Sequence, residues 1–312
     1  MILKAAFVAA SLFAASPLLG QNKPASPALN MLIGNATAND TQATVIDKFA
    51  ELVTKYSNGR VTASARHGGA LGNTTQMLAA LQAGSLHGMI YPTGFMSTVV
   101  PELSLFDRPF LLPGVPSIIG FHGIGPQSLL TRFPVNKLAD IQGKKLWAIP
   151  SPPRVGAHQD WGSVVRPMQF SELYSALQQG TLDGMEGPPD VLYRMKMHEV
   201  AKYYTVTEHF VVISNVIVSK KWFDGLPKDL QGVVTKAGKE TIAFADAAYT
   251  KSQTASLEAM RKAITVTNMP AAELQKMKEL AMKGVWERMK NDPQKGPIVK
   301  LLEEDVVRFN KE

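Results

Sequence analysis

Residue types that can carry out catalysis are present in this chain, but they do not fall into catalytic patterns. The six histidines form no His-Glu-x-x-His or His-x-His pair, and the pairs His198-Glu199 and Glu208-His209 lack metalloprotease spacing. The absence of cysteine excludes a thiol nucleophile, a thiolate metal site and a disulfide. A Gly-x-Ser-x-Gly elbow, a phosphate-binding loop and a dinucleotide fingerprint are missing too. We therefore expect no enzyme, no metal and no cofactor.

Asp183 and Glu186 are the carboxylates whose spacing comes nearest to an acid and base pair. They stand three residues apart after a short apolar strand. Such carboxylates more often cap helices or accept hydrogen bonds from the backbone. An exported hydrolase that uses this pair is therefore the weaker alternative to a binding protein.

Composition indicates a globular protein with a large core. Of the 312 residues, 45% are hydrophobic and 19% are charged, which suits one large lobe or two medium-sized lobes. Lys and Arg outnumber Asp and Glu by 33 to 26, a formal net charge of +7. These charges are scattered and form no basic run, so we expect no nucleic-acid partner. We expect a monomer.

Residues 1–20 have the layout of a secretory signal. Lys4 precedes an apolar stretch from Ala5 to Ala15, and small and turn-forming residues follow. Ser16-Pro17 interrupts the stretch, and the next residues resemble a linker. We predict cleavage near Gly20 and a periplasmic mature protein.

After this leader the chain alternates strands and helices, which predicts a parallel α/β lobe. Apolar residues at three- and four-residue spacing, from Val45 to Tyr56, predict the first helix. The predicted elements are a strand over 29–33, a helix between Thr41 and Asn58-Gly59, a strand over 61–65, a helix over 74–82 and a strand over 86–91.

A second alternating unit follows a proline-rich crossing and a glycine-rich candidate hinge. Its predicted elements are a strand over 144–149, helices over 155–161 and 171–179, and a short strand over 182–185. A long β-type run over 210–219 leads back toward the first lobe, and the rest is mostly helical. We predict lobe I at 28–120, lobe II at 121–208, and a return to lobe I with C-terminal helices over 209–312. A cleft between two such lobes is a common place for a small molecule.

Six segments, in order, resemble a known family. They are HGGALGNTTQMLAALQAGSLHGMI (67–90), PELSLFDRPFLLPG (101–114), PVNKLADIQGKKLW (134–147), MQFSELYSALQQGTLDGMEGPPD (168–190), HEVAKYYTVTEH (198–209) and VIVSKKWFDGLPKDLQ (216–231). The family is the solute-binding proteins of tripartite ATP-independent periplasmic (TRAP) transporters, of the dicarboxylate-binding DctP type. The resemblance covers most of residues 30–260.

The resemblance implies a two-lobe α/β periplasmic-binding-protein-like fold with hinge crossings, whose C-terminal helices wrap both lobes. It also implies that the lobes close on a small solute, usually an organic acid, and deliver it to the membrane subunits of the transporter. Hinge closure of this kind is favoured by contacts that the ligand makes only in the closed form. A ligand-binding receptor domain without transport is the alternative within binding proteins.

Two arginines of the family are missing here. The family grips a substrate carboxylate with an Arg after the lysine of its Gly-x-Lys segment, and this chain has Trp147 there. A second family Arg aligns with Gln127 of this chain. In the family an Asn commonly follows the Glu that matches Glu186, and this chain has Gly187 there. The stretch from Pro113 to Gln127 is also shorter than the family implies.

Two explanations of the missing arginines stay open. The ligand is less acidic, or a relocated cation such as Arg154 or Arg66 replaces the usual clamp. In either case Trp147 offers an apolar stacking surface or is a plain core residue. Arg154 lies in the segment SPPR, where exposure to solvent is the default expectation.

The remaining candidates for the site come from the same resemblance. Phe170 matches a position whose ring packs on the solute, and Asn73 begins a helix whose N–H groups could meet a polar or anionic ligand. Glu186, unless a partner neutralises it, would repel a carboxylate. The positions implied to face the cleft with hydrogen-bonding groups are Asn39, Thr93, Glu186 and Asn215.

Overall fold

The structure is a computed structural model that describes residues 28–97 and 122–309. The predicted leader and the whole proline-rich crossing, residues 101–116, lie outside the described residues. None of the described helices is both long and apolar enough to cross a bilayer.

One mixed sheet contains the strands of the described residues. They are β1 (Leu29–Gly34), β2 (Val61–Arg66), β3 (Gly88–Pro92), β4 (His122–Thr131), β5 (Lys145–Trp147), β6 (Val164–Val165), β7 (Gly184–Gly187), β8 (Tyr203–Val218) and β9 (Thr265–Asn268). Their order in the sheet is β2-β1-β3-β8-β4-β7-β5-β6, and β9 pairs with β8.

Helices cover this sheet. They are α1 (Thr41–Tyr56), α2 (Thr74–Ala83), α3 (Thr93–Met96), α4 (Pro152–Asp160), α5 (Leu173–Gln179), α6 (Pro189–Arg194), α7 (Lys220–Asp224), α8 (Lys228–Ala263), α9 (Ala271–Ala281), α10 (Glu287–Lys290) and α11 (Gly296–Phe309). A π-helical segment, Met282–Trp286, joins α9 to α10.

Lobe I is built from β1 to β3 with α1 to α3. The predicted strand-helix alternation is confirmed, because β1 pairs in parallel with both β2 and β3. Asp40 caps α1 by accepting a hydrogen bond from the Ala43 N–H at 3.0 Å. Of the predicted apolar face from Val45 to Tyr56, the residues up to Val53 are buried against the sheet and α8, and Tyr56 is half-buried.

Lobe II is built from β5 to β7 with α4 to α6, and its strands β5, β6 and β7 also pair in parallel. The predicted helix over 171–179 begins as a 3-10 turn, Phe170–Glu172, before α5. The last strand lies two residues later than predicted, at β7. Helix α9 and the π-helical segment pack on α4, where Met277 and Val285 join a core with Trp161.

Strands β4 and β8 belong to both lobes. β8 pairs with β3 through its C-terminal end and with β4 along most of its length, and β4 pairs with β7. The two lobes therefore share one continuous sheet. The β4–β8 register shifts between Gly123 and Gly125, and Gly125 has a positive φ of 133°.

Helix α8 is the second element that joins the lobes. It has 36 residues and packs on α1 of lobe I, on α6 of lobe II and on β4. The predicted wrapping of both lobes by C-terminal helices is therefore confirmed.

Candidate functional site

A cavity of about 620 Å³, its mouth included, lies where the two lobes meet, and we call it the interlobe cavity. Lobe I, lobe II and the shared strands β4 and β8 all contribute to its walls. The described lining residues are Asn35, Ala36, Thr37, Gln42, Thr74, Ile90, Tyr91, Pro92, Phe95, Ile124, Gln127, Trp147, Ile149, Phe170, Met185, Glu186, Gly187, Pro188, Val191 and Val212.

Aromatic rings form a continuous row along this cavity. Tyr91 and Phe95 of lobe I have ring centroids 5.8 Å apart, Phe95 lies 6.4 Å from Trp147 of lobe II, and Trp147 meets Phe170 edge-on at 5.8 Å. The Trp147 indole N–H donates to the Met168 carbonyl at 3.0 Å. The N–H group of Trp147 is thus bonded within the protein, so Trp147 presents its apolar ring to the cavity.

Glu186 lies in the cavity wall and accepts four hydrogen bonds. Its Oε1 accepts from the Ile149 N–H at 3.2 Å and from Arg154 at 3.1 Å. Its Oε2 accepts from the Nε2 atoms of His158 and His209 at 3.2 and 3.1 Å. Because a carboxylate only accepts hydrogen bonds, both Nε2 atoms carry hydrogen. We call Arg154, His158, Glu186 and His209 the Glu186 cluster.

Arg154 is fully buried within this cluster. Besides Glu186, its guanidinium donates to the amide oxygen of Gln127 and to the Val211 carbonyl at 3.2 Å. It also lies over the Phe210 ring, 4.5 Å from the centroid. The default expectation of a solvated Arg154 in a loop is therefore wrong, since this residue belongs to α4 and its charge is held by partners from distant strands.

The cluster keeps Glu186 ionised. Burial favours the neutral acid, but Arg154 and the two histidines hold the pKa of Glu186 well below its usual range. Burial lowers the pKa of His209, against the opposing effect of Glu186. The predicted repulsion between Glu186 and an anionic ligand is thus reduced, because Arg154 balances the carboxylate charge.

His158, Glu186 and His209 also make a set that resembles metal ligands. One ligand atom from each lies within 4.8 Å of the others. Those atoms are already joined by the hydrogen bonds described above, and the positive charge of Arg154 lies beside them. Hydrogen bonding within the cluster accounts for the arrangement without an ion.

Lobe I supplies neutral polar groups to the opposite wall. The Asn35 amide oxygen accepts hydrogen bonds from the backbone N–H and the hydroxyl of Thr37 at 3.3 and 3.2 Å, which hold the Asn35 side chain in place. Gln42 donates to Asp40 at 3.4 Å. Thr74 and the buried Tyr91 are the other polar side chains among the described lining residues of lobe I. This wall can therefore offer hydrogen bonds without formal charge.

Four of the residues predicted for the site line the interlobe cavity: Trp147, Phe170, Gln127 and Glu186. Trp147 is 2% exposed, so it is both a core residue and part of the cavity wall. Contact between these four residues and a solute stays a prediction.

The structure gives other positions to the remaining candidates. Asn73 caps α2 through Gln76 and lines a second groove beside the cavity. The Thr93 hydroxyl donates to the Ile213 carbonyl at 3.1 Å, and Asn215 is buried opposite Tyr91 in the β3–β8 pairing. Asn39 is exposed with a φ of 63°, and Arg66 is exposed at the end of β2. These residues are not among the described residues that line the interlobe cavity.

Asp183 and Glu186, the predicted acid and base of the alternative hydrolase, lie in different surroundings. Asp183 accepts a hydrogen bond from the Lys145 N–H at 2.8 Å, whereas Glu186 lies inside its own buried cluster. The pairing of His158 and His209 with Glu186 was not predicted, since these residues come from α4, β7 and β8 and have no common spacing in sequence.

Comparison with known proteins assigns the chain to a family. The family model described as "Bacterial extracellular solute-binding protein, family 7" (DctP) matches residues 33–122 and 116–292. A solute-binding protein of Verminephrobacter eiseniae is 31% identical over 67% of this chain and 70% of its own length. The C4-dicarboxylate-binding periplasmic protein DctP of Rhodobacter capsulatus is 29% identical over 70% and 73% of the two chains.

Solved structures agree in fold. The sugar acid binding protein of Advenella mimigardefordensis, in complex with galactonate, matches with a TM-score of 0.83 and 25% identity over 89% of this chain and 99% of its own. A TRAP periplasmic solute-binding protein of Desulfovibrio salexigens with bound orotic acid matches with a TM-score of 0.83 and 26% identity over the same shares. The chain therefore belongs to family 7 of the bacterial extracellular solute-binding proteins, the solute-binding proteins of TRAP transporters.

Proposed function

We propose that this protein captures a small organic acid, or a related polar or aromatic metabolite, in the interlobe cavity and delivers it to TRAP membrane subunits. The observation that carries the proposal is that residues of both lobes and of the shared strands line one cavity. A solute held there contacts both lobes at once and thus favours their closed arrangement. The galactonate and orotic acid of the similar structures give the size of molecule to test first.

The residues we propose to contact the solute are the aromatic pair Trp147 and Phe170 with the polar pair Gln127 and Glu186. Asn73 is proposed for the entrance, because the groove that it lines shares Ala36, Thr74 and Phe170 with the cavity. Trp147 and Phe170 offer ring contacts and Gln127 offers a hydrogen bond. Glu186, whose oxygens already accept four hydrogen bonds, contributes to the cavity wall beside them.

We also propose that the protein binds without chemical turnover and is exported with removal of residues 1–20. The four hydrogen bonds that Glu186 already accepts support the absence of turnover, because a general base needs a free lone pair. The family description as extracellular supports export. N-terminal sequencing of periplasmic protein tests the cleavage near Gly20, and an ester and glycoside panel tests turnover.

Capture is tested by a thermal-shift screen of the mature protein against acids, sugars, amines and aromatic metabolites. A ligand at about 100 times its dissociation constant adds roughly 2.7 kcal/mol to the free energy of unfolding. We expect at least one class of compound to stabilise the protein. No shift with any class contradicts the proposal.

A matched pair of variants links such a shift to the cavity. Ala36 lines the interlobe cavity, and Ala38, two residues away, is not among its described lining residues. Ala36→Trp narrows the cavity and should abolish the ligand-induced shift, while Ala38→Trp should keep it. Equal shifts in both variants would place the ligand elsewhere.

Solute uptake by cells that carry the membrane subunits then distinguishes a transport function from a receptor function.

A further inference from the structure

The formal charge on the described lining of the interlobe cavity is balanced inside the protein. Of the described residues that line it, Glu186 carries the one formal charge. Arg154 neutralises that charge at 3.1 Å, and both side chains are fully buried. Among the residues that the structure describes, the cavity wall is therefore close to neutral.

The hydrogen-bonding capacity of this ion pair is directed to protein groups. Each oxygen of Glu186 accepts two hydrogen bonds, from Ile149 and Arg154 at Oε1 and from the two histidines at Oε2. The Arg154 guanidinium is engaged by Glu186, Gln127 and Val211. A carboxylate ligand would have to compete with these partners for the cation, and a buried carboxylate without a cation is costly.

Arg154 also fixes the orientation of Gln127. The guanidinium has only donors, so the amide oxygen of Gln127 must face it. The NH2 group of the same amide is then directed away from Arg154. Because Gln127 lines the cavity, this NH2 group is available there as a neutral donor.

The aromatic row supplies the complementary surface. The rings of Phe95, Trp147 and Phe170 follow one another at 6.4 and 5.8 Å, and the Trp147 N–H is used by Met168. A planar ring can stack or pack edge-on along such a row. Aliphatic side chains such as Ile124 and Val212 cover other parts of the wall.

We propose that the ligand is a planar aromatic molecule without net charge, carrying a carbonyl or amide oxygen that accepts from the Gln127 NH2 group. The proposal rests on the proposed function and specifies its ligand class. Arg154 acts in it as a positioning residue, since it orients Gln127 and balances Glu186.

The test uses pairs of probes that differ in charge and little in shape: benzamide with benzoate, nicotinamide with nicotinate, and phenylacetamide with phenylacetate. Calorimetry on the mature protein should give the amide of at least one pair a dissociation constant ten or more times lower than that of its acid. Acids that bind as tightly as their amides overturn the proposal. Binding of succinate or galactonate alone overturns it too, but leaves the capture of a solute in place. Binding of no probe and no acid overturns both.

Glu186→Gln removes the charge that balances Arg154. We expect this variant to bind the acid of the preferred pair at least tenfold more tightly, relative to the amide, than the parent protein does. Because this substitution alters a buried cluster, Trp147→Arg is the second variant, which adds a cation on the lining of lobe II. Trp147→Arg should also lower the dissociation constant of the acid relative to that of the amide. An unchanged ratio in the folded variants contradicts the proposal.

Discussion

The guanidinium of Arg154 lies 3.1 Å from Oε1 of Glu186, and the two side chains are both fully buried. Arg154 comes from α4 and Glu186 from β7, so the pair joins a helix of lobe II to the sheet at the cavity wall. The hydrogen bonds from His158 and His209 extend this contact to β8, which both lobes share. The cluster therefore fixes the cavity wall and is part of the core.

Replacing Arg154 with Met should lower the free energy of unfolding by about 3–5 kcal/mol, because Glu186 would keep its burial and lose its cation. Urea unfolding followed by circular dichroism measures this change. Adding Glu186→Gln to the same chain should restore part of the loss, since the unpaired charge is then removed as well.

Arg60 provides the control for this prediction. Its ion pair with Asp229 has side chains that are 51% and 57% exposed. Arg60→Met should therefore change the free energy of unfolding by less than about 1 kcal/mol. Equal losses for the two arginine variants would show that the Arg154 pair is not the stabilising contact described here.

Asp40 should make stability depend on pH. Burial raises its pKa from 3.8 to about 6, so the folded protein binds a proton there more tightly than the unfolded chain. Stability is then lost as pH rises from about 4 to about 6, by up to about 3 kcal/mol. Asp40→Asn keeps a side-chain oxygen that can cap α1 and should remove this part of the pH dependence in urea titrations.

Glu51→Gln is the matched control for Asp40, because Glu51 lies on the same helix and its side chain is 57% exposed. Between pH 4 and 6, the free energy of unfolding of this control variant should depend on pH as it does in the parent protein. A profile that is unchanged by Asp40→Asn would rule out the proton binding at Asp40.

Phe170 should contribute to ligand affinity through its ring. Phe170→Leu removes the edge-on partner of Trp147 and should raise the dissociation constant of a captured ligand roughly 3- to 10-fold. Phe133→Leu changes a partly buried ring that packs on the lobe II core and is not among the described cavity-lining residues. Calorimetry should give Phe133→Leu the same dissociation constant as the parent protein. Weaker binding by Phe133→Leu than by Phe170→Leu would show that Phe170 does not belong to the site.

Asp190 should hold α1, α6 and α8 together next to the cavity. Its carboxylate accepts from the Thr41 N–H at 3.1 Å, from Arg194 at 2.7 Å and from the Ser252 hydroxyl. Asp190→Ala leaves these donors without their acceptor. It should lower the free energy of unfolding, measured with heat or urea, by about 2–4 kcal/mol. Asp224→Ala, which breaks an exposed pair with Lys220, should cost less than about 1 kcal/mol. Similar costs would contradict the joining role of Asp190.

The fold could be predicted from the sequence wherever the periodicity is local. The apolar spacing from Val45 to Val53 gives α1, and the glycines and short apolar runs of lobe I give its parallel strands. The start of β8 was missed, because Glu208 adopts a φ of 47° and the register with β4 shifts between Gln127 and Leu129. Such a bulge interrupts the alternation that indicates one continuous strand.

The site could be predicted only in part. The position of Trp147 and Phe170 on the cavity follows from the resemblance of their segments to the family. The burial of Arg154 could not be predicted, because its partners Glu186 and Gln127 lie about thirty residues away on other strands. A charged residue beside two prolines indicates exposure when only its neighbours in sequence are considered.

The most direct test of solute capture between the lobes is a crystal structure of the mature protein with whichever compound stabilises it most. We expect the compound to lie in the interlobe cavity, in contact with Trp147 and Phe170 and within hydrogen-bonding distance of Gln127. A compound bound outside the cavity, or one that contacts only a single lobe, would contradict it.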